Sequence, residues 1–320
     1  MRLLRFALTL VIGVFACSCK QETAVERANK QGMLLYGNGS DCRTLDPQLS
    51  TELNASRVID ALFDGLTVPD PKTLEPKALG AAERWEVSED GLTYTFHLRR
   101  DGTWSNGAPL TAHDFVYSYH RILSPALASR YAYMLYPIKN AQEFYEGKIQ
   151  DFSEVGVRAL DDYTLEIEIS SPTPYFLGLV SHHSWYPVYP PAVEENGGML
   201  SIVNTWTRPE NIVGNGAFRM KSWKLNNYIE VEKRDDYWDA DNVKLNAVRF
   251  VPIDNTESEQ RADRRNAIHT TETIPPHRLV WAKKHLPDEI RVYQYLGIYF
   301  YRINISPPGP GESDKRKKAR

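Results

Sequence analysis

The sequence predicts an α/β fold, and residues 83–121 carry most of that prediction. This stretch reads ERWEVSEDGLTYTFHLRRDGTWSNGAPLTAHDFVYSYHR. Large and polar residues alternate over 92–98, in a segment rich in Thr, Tyr and Phe, which indicates a half-buried strand. Apolar residues then recur at helical spacing over 115–122. A strand, a loop and a helix therefore follow one another, and comparable patterns occur elsewhere in the chain.

The turns and caps of this stretch support the same elements. Asp90-Gly91 precedes the strand and is typical of a turn. The polar loop at 99–109 contains Asn106-Gly107, a pair that tolerates positive φ, so the chain should reverse there. Thr111 followed by Asp114 indicates a capped helix start, because the hydroxyl and the acid at the third helical position can satisfy the first backbone N–H groups.

The other elements are predicted from shorter patterns. Strands are predicted at 33–36, 165–169, 248–252 and 299–305, and a helix is predicted at 57–63, ending at Asp64-Gly65. The segment 211–218 holds two glycines close together, which lets its backbone approach a ligand or another strand. The segment Leu45-Asp46-Pro47 taken alone indicates an ordinary turn.

The amino terminus is typical of a secretory signal. Arg2 and Arg5 precede an apolar run at 6–16, and small residues and cysteines follow. The run is too short to span a bilayer, and a core helix rarely begins at residue 6 beside two arginines. We therefore expect an exported protein, with a signal at 1–19 and a flexible polar tether at 20–33.

The end of this signal contains two candidate lipid attachment sites. The tetrapeptides VFAC, ending at Cys17, and ACSC, ending at Cys19, both resemble a lipobox, in which the cysteine becomes the first mature residue and carries acyl chains. We expect attachment at Cys17, with Cys19 as the alternative. Each acyl CH₂ buried in a bilayer contributes about 0.8 kcal/mol, so several chains would anchor the protein durably.

Charge and cysteine content exclude several classes of partner. The 320 residues carry a net charge of −3, and the pI is about 6.3. This argues against nucleic acid as the main ligand, which normally needs a basic face. Once the signal is removed only Cys42 remains, so neither an intramolecular disulfide nor a cysteine metal site can be built. We expect no cofactor and no metal, and the length suits about two domains.

The order of the residues between Trp85 and Arg121 resembles the signature of the family-5 periplasmic binding proteins. The best-known members of that family are the oligopeptide- and dipeptide-binding components of ABC importers. The matching pattern is W-x(4)-DG-x-x-YTFHLR-x-x-x-x-W-x-NG-x-P-x-TAHDFVYS-x-x-R. Asn106-Gly107 stands where the family usually has Asp-Gly. Further matches are Leu45-Asp46-Pro47, SPTPYF at 171–176, VGNGAF at 213–218 and Tyr237-Trp238.

The resemblance implies a two-lobed α/β clamp of the periplasmic-binding-protein type II, with an extra small domain and a ligand in the cleft between the lobes. The first lobe would take 34–53 and 165–270, the small domain 54–164, and the start of the second lobe 271–305. A hinge is expected near 270–275. Closure about this hinge would let a permease distinguish the loaded form.

The same resemblance stops at about Asn304, although members of the family continue well beyond it. Most of the second lobe is therefore expected to be missing, and 306–320 to be an aberrant basic tail. The segment 260–268 also departs from the family, with Asp263 where an apolar residue is common and Asn266 where glycine is common. Burying Asp263 unpaired would cost several kcal/mol, so either this helix is exposed or the protein is compromised.

The resemblance further implies a monomer in the periplasm that captures oligopeptides by strand-like backbone pairing and delivers them to an ABC permease in the inner membrane. The ligand-binding residues that it implies are Thr51, Glu52, Leu53, Tyr131, Asn215 and Gly216. In the family, the segment that corresponds to Thr51 and its neighbours offers its backbone and an acidic side chain to the ligand. The family's acidic position aligns either with Glu52 or with Thr51, which is not acidic. Tyr131 falls where the small domain contributes a tyrosine.

Other interpretations stay open at this stage. The chain could be a non-functional fragment from a truncated or frameshifted gene, or it could bind another solute, such as a dipeptide, nickel, haem or a sugar. An enzyme is not expected. His113 and His120 share one helical face, and His182-His183 follow a strand, yet no third ligand stands at metal spacing. No H-E-x-x-H or G-x-S-x-G motif occurs either.

Overall fold

The structure, a computed structural model, describes residues 22–292 and 300–301. It divides into two compact units, and the boundary along the sequence falls between Pro275 and Pro276, a few residues after the expected start of the second lobe. The signal with Cys17 and Cys19, most of the strand predicted at 299–305, and the tail at 306–320 lie outside the described residues.

Short strands and helices alternate along the described chain. The strands are β1 (Met33–Gly37), β2 (Val68–Pro69), β3 (Pro76–Lys77), β4 (Ala82–Val87), β5 (Thr93–Leu98), β6 (Val157–Asp161), β7 (Thr164–Glu168), β8 (Phe218–Lys224), β9 (Tyr228–Lys233) and β10 (Ala247–Val251). The α-helices are α1 (Ala24–Lys30), α2 (Leu53–Leu62), α3 (Ala112–Leu123), α4 (Ala141–Tyr145), α5 (Phe176–Leu179), α6 (Pro190–Glu195), α7 (Thr256–Arg264) and, in the second unit, α8 (Leu279–His285). The predicted α/β class is confirmed. Across the ranges that the structure describes, no helix combines the length and the apolar character needed to cross a membrane.

The first sheet joins strands from both ends of the larger unit. Its order is β1-β10-β9-β8, with β1 parallel to β10 and the other pairs antiparallel. The strands predicted at 33–36 and 248–252 are confirmed to within one residue at each end. On the other side of β1, the Gly37 N–H donates to the Thr270 carbonyl at 2.9 Å. The chain therefore approaches the end of this unit along β1.

The second sheet is antiparallel, in the order β4-β5-β7-β6. Along β5 the side chains of Tyr94, Phe96 and Leu98 are buried and the residues between them are partly exposed, as the alternation predicted. β7 pairs with β5 from Thr164 to Glu168. The domain boundary expected between 164 and 165 thus falls inside this sheet, and the correction follows because all of β7 is hydrogen bonded to small-domain strands.

Helix α3 begins where the sequence predicted. The Asp114 carboxylate accepts the Thr111 N–H at 2.8 Å and the Trp104 Nε1–H at 3.2 Å. The first bond caps the helix, and the second ties the preceding polar loop to the helix start. Phe115 and Tyr119 are fully buried, so the predicted apolar stripe of α3 faces the core.

The flexible tether expected at 20–33 is wrong for the part that the structure describes. Residues 24–30 form α1, and Thr23 and Glu26 form a reciprocal capping box at its start. Ala28 is buried against the first sheet, and the Val25 N–H donates to the Asn266 carbonyl at 3.0 Å. A narrow stripe of small apolar residues on an otherwise polar helix is enough to dock it, and polar composition hides such a stripe.

One hydrophobic core runs through both sheets of the larger unit. It holds Val231 and Phe250 of the first sheet together with Phe96 and Ile167 of the second, and Val58 of α2 is fully buried within it. Within the described residues, the expected first lobe and the expected small domain therefore share one hydrophobic core.

Helix α7 is the segment in which Asp263 was expected to be a problem. In the described chain Glu259 is its one buried side chain, and Asp263 is only partly buried. Six of its nine residues, Asp263 among them, are partly buried and two are exposed, so the helix lies half-buried on the surface rather than fully exposed. No buried unpaired charge arises at Asp263.

Candidate functional site

A buried ion pair holds the Leu45-Asp46-Pro47 motif in place. Arg121, on the inner face of α3, donates from its two Nη atoms to the two carboxylate oxygens of Asp46, at 3.1 and 2.6 Å. Solvent reaches 0% of the Arg121 side chain and 1% of the Asp46 side chain. A pair this deeply buried is stabilised when neighbouring groups hydrogen bond to its remaining polar atoms.

Neighbouring groups supply most of those bonds, whereas the buried Arg121 Nε has no hydrogen-bond partner among the described residues. The Trp206 Nε1–H donates to Asp46 at 3.3 Å, and the Gln48 N–H donates to the other carboxylate oxygen at 3.0 Å. Arg121 also donates to the Gln48 side-chain oxygen at 2.6 Å. Residues 46–48, which we call the Asp46 turn, are thereby fixed to α3 and to the segment around Trp206.

Tyr131 lies beside the Asp46 turn. Its N–H donates to the Ser129 hydroxyl at 3.2 Å, and that hydroxyl donates to the Gln48 carbonyl at 2.6 Å. The Tyr131 ring meets the imidazoles of His182 and His183 edge to face, with centroids 5.0 and 5.6 Å apart. The ring is partly exposed, so Tyr131 stands at a surface next to the turn.

Both neighbouring histidines are neutral at pH 7. His183 Nδ1 donates to the Pro47 carbonyl at 2.8 Å, whereas His182 Nδ1 accepts the Ser184 N–H at 3.2 Å. Burial lowers the pKa of both imidazoles, that of His182 to about 4. With Tyr131 they form an uncharged aromatic wall. No pattern in the sequence indicates this contact, because Tyr131 and the two histidines are about 50 residues apart in the chain.

Thr51, Glu52 and Leu53 lie where α2 begins, directly after the Asp46 turn. Thr51 is exposed, and Leu53 is 58% exposed. Glu52 faces Arg43, whose Nε lies 2.8 Å from its carboxylate and whose N–H donates to it at 3.2 Å. Within the described residues no hydrogen bond engages the main chain of Thr51. Its N–H and carbonyl can therefore pair with the backbone of a ligand.

Asn215 and Gly216 lie at the opposite end of α2. The Asn215 side-chain amide accepts the Asp64 N–H at 3.0 Å and donates to the Asp64 carbonyl at 2.9 Å. The Gly216 N–H donates to the Leu62 carbonyl at 2.9 Å, and its own carbonyl accepts from Arg234 at 3.2 Å. Both residues are buried, and they attach the 211–216 turn to the end of the helix.

The structure therefore divides the predicted ligand-binding residues into two groups. Tyr131 and residues 51–53 adjoin the Asp46 turn, whereas residues 215–216 adjoin the far end of α2. This helix has 10 residues, which at about 1.5 Å per residue separates the groups by about 15 Å. A ligand extended at about 3.3 Å per residue would need roughly five residues to reach both groups.

The residues weighed as catalytic or metal-binding groups are engaged elsewhere. His113 lies 3.4 Å from Asp162 at the surface, and His120 stacks on Phe152 with centroids 4.4 Å apart. In the part of the chain that the structure describes, no group of three or more His, Cys, Asp or Glu side chains could hold a metal ion. Burial raises the pKa of the Cys42 thiol to about 12, so it stays protonated and unreactive at neutral pH.

Asp64, beside the 211–216 turn, titrates near neutral pH. Burial raises the pKa of its carboxyl from an ordinary value of 3.8 to about 7, although Tyr237 donates to it at 2.6 Å. The folded protein therefore binds more protons than the unfolded chain between about pH 4 and pH 7. The free energy of unfolding should fall as the pH rises through this interval, by at most about 1.4 kcal/mol per pH unit from this group.

An Asp64→Asn variant tests this expectation. The asparagine keeps an acceptor for the Tyr237 hydroxyl but does not titrate, so the pH slope of the free energy of unfolding should flatten. Urea unfolding of both chains at several pH values between about 4 and 8 measures the two slopes. An unchanged slope in the variant would show that Asp64 is not the titrating group.

Comparison with known proteins identifies the family of this chain. The family described as "Bacterial extracellular solute-binding proteins, family 5 Middle" matches residues 78–318. The match extends past Asn304, where the sequence alone suggested that the resemblance stops. The periplasmic oligopeptide-binding protein OppA of Salmonella typhimurium is 40% identical over 301 residues, which cover 93% of this chain and 53% of that protein.

Solved structures agree with this match. The Escherichia coli murein tripeptide binding protein MppA superposes with a TM-score of 0.74 at 32% identity, covering 80% of this chain and 48% of that one. Haemophilus influenzae OppA in complex with the peptide RPPGFSPFR gives a TM-score of 0.74 at 35% identity, covering 80% of this chain and 49% of that one. The chain spans about half the length of the relatives it matches, and the predicted relation to the periplasmic binding-protein fold is confirmed. The chain belongs to the bacterial extracellular solute-binding proteins of family 5.

Proposed function

We propose that this chain supplies the first lobe and the small domain of an oligopeptide-binding component of an ABC importer. The observation that carries this proposal is the TM-score of 0.74 to a peptide-bound OppA over 80% of this chain. The matched relatives are named as solute-binding proteins, not as enzymes.

The proposed peptide site runs along residues 46–53. The main chain of Thr51 pairs with the peptide backbone in the manner of an added strand, which tolerates any peptide sequence. The exposed side chain of Leu53 and the aromatic wall around Tyr131 contact peptide side chains. Because both imidazoles of that wall are neutral at pH 7, it suits apolar and aromatic groups.

Asn215 and Gly216 have a different part in this proposal. The Asn215 amide and both main-chain groups of Gly216 already bond to other residues of the chain. These bonds hold the 211–216 turn in place. In this proposal the turn contacts a peptide through the main chain of Asn215. A peptide that uses it must be long enough to span α2.

Location and partners complete the proposal. The Salmonella relative is named as periplasmic, and the charged and apolar pattern of residues 1–19 is that of an exported protein. We propose a periplasmic monomer that is anchored through Cys17, or alternatively Cys19, and that delivers its peptide to the importer's permease.

Replacing Tyr131 with alanine is expected to weaken oligopeptide binding about tenfold, because a central aromatic contact typically contributes about 1–2 kcal/mol. Titration calorimetry with RPPGFSPFR, the peptide in the Haemophilus complex, measures the affinity. Tyr131→Phe keeps the ring and should bind within about twofold of the parent chain. Tyr228→Ala, on the first sheet, is the matched control and should leave the affinity for the peptide unchanged. Equal affinities of Tyr131→Ala and the parent would remove Tyr131 from the site.

A second candidate is a folded fragment that does not bind, and the coverage of about half of each relative favours it. In that case the chain unfolds cooperatively but shows no heat with RPPGFSPFR. A chain that instead binds a non-peptide solute also gives no heat with the peptide, but it gains thermal stability when that solute is added.

A further inference from the structure

The segment that leads out of the larger unit is attached to β1 by an unusual bond. The His269 N–H donates to the Leu35 carbonyl at 2.9 Å, as in a regular sheet. The Leu35 N–H, however, donates to the His269 side chain, at Nδ1 and also at 2.9 Å. The imidazole thus takes the place of a main-chain carbonyl at this edge of the first sheet.

These contacts require a neutral ring with its proton on Nε2. Nδ1 accepts from Leu35, and Nε2 donates to the Asn29 side-chain oxygen of α1 at 3.0 Å. A protonated ring would set a second N–H against the Leu35 N–H. Leu35 is 4% exposed, so water cannot readily replace the lost acceptor, and a buried N–H without a partner is costly.

We propose that His269 is an acid-sensitive latch, which holds residues 268–270 against β1 while it is neutral and releases them when it is protonated. This inference goes beyond the proposed function and does not depend on it. The hydrogen-bond partners of the ring are Leu35 from β1 and Asn29 from α1. The charged groups beside Asn29 are Glu26 and Lys30, and Lys30 is paired with Glu22 at 2.6 Å.

The sign of the effect follows from the burial of the ring. Burial lowers the pKa of His269 below the ordinary value of about 6.5. The stabilisation by the latch is therefore present above about pH 6.5 and is lost as the pH falls through the folded-state pKa.

The next attachment of the same segment responds in the opposite direction. Glu259 of α7 accepts the Glu272 N–H at 2.9 Å, and Arg57 pairs with the Glu272 carboxylate at 3.0 Å. Burial raises the pKa of Glu259 because it disfavours the charged carboxylate. Acid therefore neutralises this group readily. The neutral carboxyl can still accept the hydrogen bond from the Glu272 N–H. Acid should consequently free the segment at His269 and leave it attached at Glu272.

A pH titration of the full ¹⁵N-labelled chain by NMR tests the latch. At about pH 7.5 the His269 ring should carry its proton on Nε2. Between about pH 7 and pH 5, the exchange protection of the Leu35 amide, corrected for intrinsic rate, should fall about tenfold. The Glu272 amide and the amides of β9 should keep their protection.

The variant His269→Asn supplies an acceptor that does not titrate, and it should remove the pH dependence at Leu35. Three results on the parent chain alone would overturn the latch: a ring protonated on Nδ1, a Leu35 amide whose protection ignores pH, or an equal loss at Leu35 and Glu272. The proposal therefore stays testable if the variant does not fold.

Discussion

Replacing Arg121 with methionine should lower the free energy of unfolding by about 3–5 kcal/mol, the usual effect of breaking a buried ion pair by removing one partner. The change leaves a buried Asp46 carboxylate without its arginine partner. Its remaining hydrogen-bond donors are the main-chain N–H of Gln48 and the Trp206 Nε1–H. Methionine fills much of the arginine volume, so the unpaired charge dominates the loss. Urea unfolding, with the midpoint and the slope both fitted, measures it.

Two further variants separate this pair from ordinary surface charges. Arg158 pairs with Glu166 at 2.7 Å but is 55% exposed, so Arg158→Met should cost less than about 1 kcal/mol. The double variant Asp46→Asn with Arg121→Met leaves no buried charge at this site, so it should recover part of the lost free energy of unfolding. An Arg121→Met loss no larger than that of Arg158→Met would show that the ion pair does not hold the Asp46 turn.

Replacing Gly214 with alanine should produce the second-largest loss of stability. A Cβ at this position would stand 2.0 Å from the Leu62 carbonyl oxygen. That oxygen is main chain at the end of α2 and also accepts the Gly216 N–H, so it cannot move away without breaking the attachment of the 211–216 turn. Overpacking typically costs about 1–3 kcal/mol, and a clash with backbone belongs at the upper end of that range.

Gly178 provides the matched control for this substitution. It lies in α5, and a Cβ there would meet nothing within 4 Å. Gly178→Ala should therefore be neutral or should stabilise the chain by up to about 1 kcal/mol, because alanine favours a helix more than glycine does. Equal midpoints for the two alanine variants in thermal unfolding would mean that the 211–216 turn packs loosely against α2.

The elements that sequence predicted well are those determined by local rules. The strand at 92–98 was predicted from alternation, and the start of α3 from the capping pair Thr111 and Asp114. Both features depend on neighbours within a few residues, so they can be read without knowing the fold. The same local reasoning failed for α1, where a narrow buried stripe around Ala28 lies in a polar segment.

What sequence could not predict is the pairing of distant residues. The boundary placed at 164 and 165 was wrong because the partner strands of β7 are set by sheet pairing, which no local pattern reveals. Likewise Asp46 and Arg121 are 75 residues apart, and either alone looks like a solvated charge. A signal did exist in α3, because Arg121 stands on the same face as the buried Phe115, Ser118 and Ile122, where a charge needs a partner.

The spatial grouping of the candidate residues agrees with the resemblance only in part. The resemblance placed Tyr131 and residues 51–53 in one site, and the structure sets them beside the same turn. It also grouped Asn215 with them, although the Asn215 amide bonds to Asp64 at the other end of α2. The role of the two histidines beside Tyr131 was missed because it depends on a tertiary contact. These assignments to a ligand stay predictions.

Titration of the ¹⁵N-labelled chain with RPPGFSPFR, followed by amide chemical shifts, tests the central claim most directly. If residues 46–53 form the peptide site, the shifts should cluster at 48–53 and at 129–133, and they should saturate as the peptide is added. The amides on the outer face of the second sheet should not move. No shift anywhere at saturating peptide, or shifts confined to segments away from the Asp46 turn, would contradict the account.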